Sequence, residues 1–250
     1  MQFETLFTGI NFIELDSVDS TNNYAANLLN KTNVPNGTVI MAHYQTEGKG
    51  QMGNHWTAEP SKNLLVSFVF KPNFIAPKNQ FNLSKIAALA VRETVEHFAG
   101  KTAMIKWPND IYIDNKKISG MLIENEWNGA NLSTIIGIGI NVNQTDLPME
   151  MKATSCALES TNIIDIKKVL HQLAKNLEQQ YIKLRSGNIA NIEENYLDHL
   201  LNYKQGANYR IDNKIVRGKI TKVAPTGAIE LEFLDGTSKQ FWFKEIEFIF

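Results

Sequence analysis

The chain contains the stretch Ile135-Ile136-Gly137-Ile138-Gly139-Ile140-Asn141-Val142-Asn143, in which apolar residues alternate with small or polar ones. Successive side chains of a β-strand point to opposite faces, so one face carries isoleucine and valine and the other carries Gly137, Gly139 and Asn141. Glycine inside a strand often marks the close approach of a ligand or of another backbone. We therefore interpret the stretch as a strand with one core face and one binding face; close packing by a neighbouring helix is the alternative.

The segments around this strand show two kinds of apolar pattern. Apolar residues three and four positions apart predict amphipathic helices, whereas short apolar or alternating runs predict strands. The pattern predicts helices at 24–29, 83–98, 166–184 and 188–201, and strands at 38–44, 63–70, 103–106, 111–113, 118–124 and 133–142. Ser20 is the expected N-cap of the first helix. We expect an α+β fold in which helices flank a central mixed β-sheet.

The pattern changes after about Tyr203. Short β segments follow at 208–211, 214–223, 228–233 and 238–243, separated by turn-forming sequences such as Pro225-Thr226-Gly227. Such short strands with tight turns predict a small SH3-like β-barrel. We therefore predict a large domain over residues 1–203 and a small C-terminal β domain over residues 204–250.

The composition is that of a globular protein, with 43% hydrophobic and 20% charged residues among 250. The formal net charge of −1 argues against non-specific binding to nucleic acid, which needs a basic excess. The single cysteine excludes an internal disulfide and a cysteine-rich zinc module. No apolar run has the ~20 residues of a membrane span and no signal peptide is visible, so we expect a cytoplasmic protein.

A glycine-rich loop lies between two predicted strands, in the stretch from Tyr44 to Trp56. Gly48, Gly50 and Gly53 permit positive φ and let backbone N–H groups approach an anionic ligand. The loop matches neither the phosphate-binding Gly-x-x-x-x-Gly-Lys-Ser/Thr pattern nor the dinucleotide-binding Gly-x-Gly-x-x-Gly pattern. By itself it is more typical of a flexible hairpin loop.

Two further stretches bring charge next to turns. Lys106-Trp107-Pro108-Asn109-Asp110 places a cation, a stacking surface and a carboxylate side by side, which suits a nucleotide phosphate site with Asp110 as a magnesium ligand. The alternative is a plain connection between two strands. Lys116-Lys117-Ile118-Ser119-Gly120 opens the next strand, and paired lysines are also typical of a charged surface turn.

Five motifs together resemble biotin–protein ligases in their order and spacing. They are Ser20-Thr21-Asn22, the glycine loop with Gln45 and Trp56, the stretch from Lys106 to Asp110, Lys117-Ile118-Ser119-Gly120, and Gly137-Ile138-Gly139-Ile140-Asn141. The resemblance covers essentially the whole chain. It implies ATP-dependent activation of biotin to biotinyl-5′-AMP and transfer of biotin to a specific lysine of a biotin carboxyl carrier protein domain. It also implies a short form that lacks the N-terminal winged-helix DNA-binding domain.

The resemblance assigns roles to individual residues, with Lys117 as the catalytic residue and residues 1–203 as the catalytic biotin/ATP-binding domain. The implied biotin-binding positions are Ser20, Thr21, Asn22, Gln45, Lys49, Gly50, Gln51, Lys117 and Gly120. The implied ATP-binding positions are Gly48, Lys49, Gly50, Gln51, Trp56, Lys106, Asn109, Asp110 and Asn141. ATP and biotin are then substrates, and Mg²⁺ is held through Asp110. The implied partner is the carrier domain, not DNA or a membrane, and a homodimer through an edge strand stays open.

The sequence departs from the family in the glycine loop. Many relatives carry arginine where this chain has Lys49, Gln51 and Asn54, and the last two are neutral. An amide cannot reproduce the paired hydrogen bonds that a guanidinium makes with phosphate, so the charge that this loop brings to the adenylate is reduced. Three alternatives stay open: a lipoate–protein ligase-like acyl-adenylate transferase, a non-catalytic biotin-binding protein and a transcriptional repressor.

We expect no sequence-specific DNA binding at physiological salt, because no recognition helix precedes Phe12 and the charge is balanced. A gel-shift assay with a fragment from the promoter of a biotin operon checks this expectation. A retarded band that the same unlabelled DNA removes, and unrelated DNA does not, would contradict it.

Overall fold

The computed structural model describes residues 2–129, 131–148, 150 and 152–249. The first sheet within these residues consists of β1 (Phe12–Leu15), β2 (Thr38–Ala42), β3 (Leu64–Phe70), β4 (Met104–Lys106), β5 (Asp110–Ile113), β6 (Lys116–Asn128) and β7 (Asn131–Ile140). The helices are α1 (Thr21–Lys31), α2 (Phe81–Ala99), α3 (Cys156–Ser160), α4 (Ile166–Arg185) and α5 (Ile189–Asp198). The second sheet consists of β8 (Ala207–Ile211), β9 (Lys214–Val223), β10 (Ile229–Phe233), β11 (Ser238–Phe241) and β12 (Glu247–Phe248).

The first sheet is mixed, and β7 lies at its centre. The strand order is β1-β2-β3-β7-β6-β5-β4, in which β1 and β2 are parallel and the other neighbours are antiparallel. The predicted α+β fold with a central mixed sheet is therefore confirmed. Because β3 and β6 flank β7 on both sides, its two faces are left to helices and loops.

The apolar face of β7 packs into the main core, as its sequence predicts. Ile136, Ile138 and Ile140 are buried there together with residues of α2 and α4. Burying each of these side chains contributes ~1.5–3 kcal/mol. On the opposite face, α1 contacts β7 and forms a smaller apolar cluster that includes Ile135. Among the described residues, no helix combines the length and the apolar character that a membrane span needs.

Among the strands and α-helices, three short elements are missing from the sequence prediction, namely β1, α3 and β12. Each has five residues or fewer, which is too short for a periodicity to be recognised. The predicted helix at 188–201 ends earlier, at Asp198, and the predicted strand at 118–124 is longer, from Lys116 to Asn128. Local pattern thus locates the elements better than it locates their ends.

The second sheet is antiparallel, with the strand order β11-β10-β9-β8-β12. It contains the strands expected for a small C-terminal β domain, and a domain boundary near residue 203 stays a prediction.

The two sheets are joined at Trp107, whose indole N–H donates to the carbonyl oxygen of Gly227 between β9 and β10 at 2.8 Å. The ring is 3% exposed and meets Phe243 edge-on, with 6.3 Å between the ring centroids. The expectation that Trp107 offers a stacking surface for a nucleotide is therefore wrong, because the packing of the second sheet buries it.

Replacing Trp107 by phenylalanine keeps an aromatic ring but removes the donor to Gly227. We expect Trp107→Phe to lower the free energy of unfolding by about 1–2 kcal/mol, because a buried carbonyl oxygen loses its partner. Urea unfolding measures this change. Trp242→Phe is the matched control, because Trp242 is 53% exposed and its replacement should stay within about 0.5 kcal/mol of the unmodified chain. Equal stability of the two variants would contradict the role of the hydrogen bond.

Candidate active site

A cavity of about 240 Å³ lies on the glycine face of β7, beside the starts of α1, β5 and β6. It brings together most of the site residues that the sequence predicts, although they come from separate segments of the chain. Those that line it are Ser20, Thr21, Asn22, Gln45, Lys49, Gly50, Gln51, Trp56, Lys106, Asn109, Asp110, Lys117 and Gly120. Gly137 and Gly139 also line it, so the bare face of β7 is the wall of a cavity.

Gly48 and Asn141 are also expected to contact ATP, but they lie outside the lining of this cavity. The Asn141 amide donates to the carbonyl oxygen of Thr154 at 3.0 Å, and the residue is buried. Gly48 lies at the base of the glycine loop, where a Cβ would collide with the carbonyl oxygen of Trp56.

The start of α1 forms an uncharged polar end of the cavity. The Gln45 Oε1 atom accepts hydrogen bonds from the backbone N–H and the hydroxyl of Thr21, at 2.8 and 3.0 Å. The buried Ser67 hydroxyl on β3 lies 2.7 Å from the Thr21 hydroxyl oxygen and 2.6 Å from Oδ1 of Asn22. Ser20 occupies the N-cap position of α1, but its side chain makes no hydrogen bond to the helix. Ser20 therefore holds the expected N-cap position, but the hydrogen bond expected from its side chain to the helix is absent.

Asn22 ties this polar end to the central strands. Its Nδ2 group donates to the Glu124 carboxylate at 2.6 Å and to the Leu122 carbonyl oxygen at 3.3 Å. Its Oδ1 atom lies so close to Gly137 that a Cβ there would overlap with it. The glycine at position 137 therefore admits the Asn22 carboxamide, which in turn accepts the hydrogen bond that orients Ser67.

The ring of Trp56 lies over the second bare position of β7. A Cβ at Gly139 would be 2.5 Å from Cε2 of the ring, and one at Gly120 would be 3.1 Å from Cζ3. The indole N–H is buried and has no hydrogen-bond partner among the described residues. The Lys117 ammonium lies 5.6 Å from the ring centroid. The ring thus gives the cavity a flat wall with an unsatisfied donor, next to a cation.

Two lysines give the cavity a cationic side, and their partners differ. The Lys117 Nζ atom lies 2.6 Å from Oδ1 of Asp110 in an ion pair. The Lys106 Nζ atom lies 5.3 Å from the ring centroid of Tyr112 and 5.4 Å from that of Phe248. Burial lowers the pKa of Lys106 below its ordinary value near 10.5, and the charge of Asp110 partly opposes this effect. The two ammonium groups can receive an anionic ligand between them.

The glycine loop folds back on itself beside the cavity. The backbone N–H of Trp56 donates to the carbonyl oxygen of Gly48 at 2.8 Å. Positive φ occurs at Met52 and Gly53, whereas Gly50 is extended with φ −113°. Of the three glycines expected to permit positive φ, Gly53 uses it, and Gly48 instead permits close approach of the backbone.

The described residues around Asp110 do not form a metal site by themselves. Among the described residues, no group of three His, Cys, Asp or Glu side chains could hold a metal ion. Asp110 is the one acidic residue among those described that line the cavity, and Asn109 uses its amide to donate to the Met121 carbonyl oxygen at 2.6 Å. Mg²⁺ is commonly held by one or two carboxylates together with phosphate oxygens of the substrate. Asp110 therefore suits Mg²⁺ bound with a nucleotide, and not a metal site made by protein alone.

Some lining residues are absent from the sequence prediction. Phe243, between β11 and β12, reaches the cavity, and no local signal marks it because it arrives through the packing of the second sheet on Trp107. Ser67 lies behind the polar end and is 0% exposed. Its position could have been inferred from the sequence, because Ser67 is the lone polar residue in the apolar run from Leu64 to Phe70.

Comparison with known proteins places this arrangement in a family. Residues 14–141 match the Biotin/lipoate A/B protein ligase family. The bifunctional ligase/repressor BirA of Bacillus spizizenii is 33% identical, over 94% of this chain and 74% of that protein. The biotin–[acetyl-CoA-carboxylase] ligase of Mycobacterium tuberculosis is 27% identical, over 72% of this chain and 68% of that protein. The biotin protein ligase of Aquifex aeolicus, solved in complex with biotin and ATP, is 29% identical with a TM-score of 0.78, over 95% of this chain and 98% of that chain.

The fold, the cavity and these similarities define a ligase enzyme. The chain belongs to the biotin/lipoate A/B protein ligase family. Its resemblance to biotin–protein ligases, first indicated by the five sequence motifs, is thereby confirmed.

Replacing Gly137 by alanine tests the close approach of α1 to β7. We expect Gly137→Ala to lower the free energy of unfolding by about 1–3 kcal/mol, because the new methyl group forces Asn22 out of its position. Thermal or urea unfolding measures the change. Gly206→Ala is the matched control, since its Cβ would meet its nearest neighbour, Arg217, at an ordinary 3.5 Å. If both variants kept the stability of the unmodified chain, the bare position at 137 would not be needed.

Proposed function

We propose that this ligase uses ATP to activate biotin as biotinyl-5′-AMP and then transfers biotin to a lysine of a biotin carboxyl carrier protein domain. The observation that supports this most is the polarity of the cavity, which joins an uncharged hydrogen-bonding end at Thr21 and Gln45 to a cationic side at Lys106 and Lys117. Biotin has the same polarity, with an uncharged ureido ring at one end and a carboxylate at the other. The similar ligase of Aquifex aeolicus, solved with biotin and ATP, supports both substrates.

The polar end suits the ureido ring of biotin. A urea presents one carbonyl acceptor and two N–H donors, so neutral partners of both kinds satisfy it. The two hydrogen bonds from Thr21 fix the Gln45 carboxamide and leave its NH₂ group to donate. The hydroxyls of Ser20 and Thr21 add groups that can donate or accept. The dithiolane ring of lipoate lacks such groups, and this end of the cavity therefore favours biotin over lipoate.

In the first reaction, a carboxylate oxygen of biotin attacks the α-phosphorus of ATP, and the bond to the departing pyrophosphate breaks. Both reactants are anionic, so a cation beside the new O–P bond stabilises the transition state. Lys117 is the residue for this role, because its ammonium lines the cavity and is held 2.6 Å from Asp110. The carboxylate balances the charge of Lys117 before substrates arrive, and substrate oxygens bind its remaining N–H donors. Lys106 then faces the polyphosphate.

We propose that Mg²⁺ takes part in this step, bound together with ATP. Asp110 would hold it together with phosphate oxygens, and the ion would neutralise part of the phosphate charge. Asp110 is the first residue of β5 and pairs with Lys117, so an ion that arrives with the nucleotide would share or replace this lysine partner.

In the second reaction, the amine of the acceptor lysine attacks the acyl carbon of the mixed anhydride, loses a proton and displaces AMP. The anhydride has to be protected from water until then. The glycine loop and the ring of Trp56 are the available cover, and the neutral side chains of Gln51 and Asn54 face the cavity with them. We propose that the adenylate is retained more by this covering of the site than by charge in the glycine loop, because the amide contacts of the loop are weaker than charge-assisted ones.

The free edge of β6 is the proposed docking place for the acceptor or for a second copy of the chain. β5 pairs with β6 only between Lys116 and Gly120, so among the described residues no strand covers the outer edge from Leu122 to Asn128. Such an edge offers unpaired N–H and C=O groups to an incoming strand. The net charge of −1 gives no support to a nucleic-acid partner. The consumption of ATP supports a reaction in the cytoplasm.

Replacing Lys117 by alanine tests the first reaction. We expect Lys117→Ala to slow pyrophosphate release at least ~100-fold while the fold is retained, because several kcal/mol of charge stabilisation are lost in the transition state. Mass spectrometry of bound biotinyl-5′-AMP and a pyrophosphate assay measure the effect, with lipoate run in parallel as the competing substrate.

Lys116→Ala is the matched control, because it removes the neighbouring lysine, whose side chain is exposed. It should leave pyrophosphate release within about twofold of the unmodified enzyme. Normal release by a well-folded Lys117→Ala variant would contradict the role of Lys117. Activation of lipoate instead of biotin would contradict the substrate.

A further inference from the structure

Lys106 has no carboxylate in direct contact among the described residues, although the charges of Asp110 and Glu247 act on it from farther away. Among the described residues, it forms no ion pair within 4.0 Å, whereas the other lysine on this side of the cavity, Lys117, is paired with Asp110. Lys106 is half-buried, and this desolvation lowers the pKa of its ammonium. A buried charge needs compensation from its surroundings.

Two aromatic rings on opposite parts of the chain contribute to that compensation, beside the charges of Asp110 and Glu247. Tyr112 belongs to β5 of the first sheet and Phe248 belongs to β12 of the second, with ring centroids 5.3 and 5.4 Å from the Lys106 Nζ atom. The face of an aromatic ring attracts a cation at this distance. Phe248 is itself held in place, because it is buried and meets Tyr209 edge-on with 5.3 Å between the centroids.

Aromatic rings hold an ammonium differently from a carboxylate. They attract the charge without occupying strong hydrogen-bond acceptors, so the N–H groups stay available. A phosphate oxygen accepts a charge-assisted hydrogen bond that exceeds what a ring face offers. An ammonium held by rings can therefore bind an incoming phosphate without sharing its N–H donors with a protein carboxylate, whereas Lys117 shares them with Asp110.

We propose that Phe248 is a positioning residue for the nucleotide. With Tyr112 it holds the Lys106 ammonium at the wall of the cavity, where the β- and γ-phosphates of ATP bind. The second sheet then takes part in the first reaction through Phe248 although its side chain does not touch the substrate. The inference rests on the proposed function for the identity of the nucleotide, and on the two ring distances for the role of Phe248.

Steady-state kinetics of the full chain test this role. Pyrophosphate release is measured with ATP varied at saturating biotin, and with biotin varied at saturating ATP. We expect Phe248→Leu, which keeps apolar volume but removes the ring, to raise KM for ATP about three- to tenfold. The KM for biotin and kcat should change by no more than about twofold. Phe248→Tyr keeps a ring face and should therefore keep the KM for ATP of the unmodified chain.

Phe233→Leu is the matched control, since it makes the same substitution in the same sheet at β10. It should leave both KM values unchanged. If Phe248→Leu does not fold, as thermal unfolding would show, Tyr112→Leu removes the opposite ring and should raise KM for ATP in the same way. An unchanged KM for ATP in a folded ring-deleted variant, or a Phe248→Tyr variant as impaired as Phe248→Leu, would overturn the proposal.

Binding of inorganic tripolyphosphate gives a readout that does not depend on the chemistry. Isothermal titration should show about three- to tenfold weaker binding to Phe248→Leu than to the unmodified chain. Equal binding to both would overturn the positioning role even if adenylate forms normally. Failure of the unmodified chain to form biotinyl-5′-AMP would instead count against the proposed function, and the tripolyphosphate comparison would still decide the role of Phe248.

Discussion

The lack of side chains at Gly137 and Gly139, on one face of a fully paired central strand, is the constraint on which the active site depends. Gly137 admits the carboxamide of Asn22, and Gly139 admits the ring of Trp56. A single added Cβ would block either approach, because β7 is held on both sides by β3 and β6 and cannot retreat. The polar end and the aromatic wall of the cavity therefore follow from one local feature of one strand.

The electrostatics of the cavity suit a reaction between two anions. Lys117 carries its own carboxylate partner, Asp110, whereas Lys106 is held between ring faces. One cation is therefore balanced before substrates arrive, and the other is available to an anion. The polar end, by contrast, carries neutral groups such as Gln45 and Ser67, whose hydrogen bonds are mostly made to one another. This separation of charge and neutral polarity gives a ligand one orientation.

The second sheet is part of the active site as well as an attachment to it. Phe243 lines the cavity, and the Lys244 ammonium donates to the carbonyl oxygen of Met52 in the glycine loop at 3.2 Å. Trp107, next to Lys106 in the sequence, provides the hydrogen bond that joins the sheets. The second sheet thus contacts the glycine loop, the cavity and the cationic side through separate residues.

The sequence alone determined the two faces of β7 and the amphipathic helices α2 and α4, because residue type and periodicity report burial and local conformation directly. It indicated most residues that line the cavity through the resemblance of five motifs to biotin–protein ligases. The tertiary structure decided the rest. It buried Trp107, kept the Ser20 hydroxyl off the helix, left Asn141 out of the cavity lining and brought Phe248 to Lys106. These outcomes depend on contacts between segments that lie far apart in the chain. Such contacts are set by how complete elements pack, and no local pattern of residues encodes them.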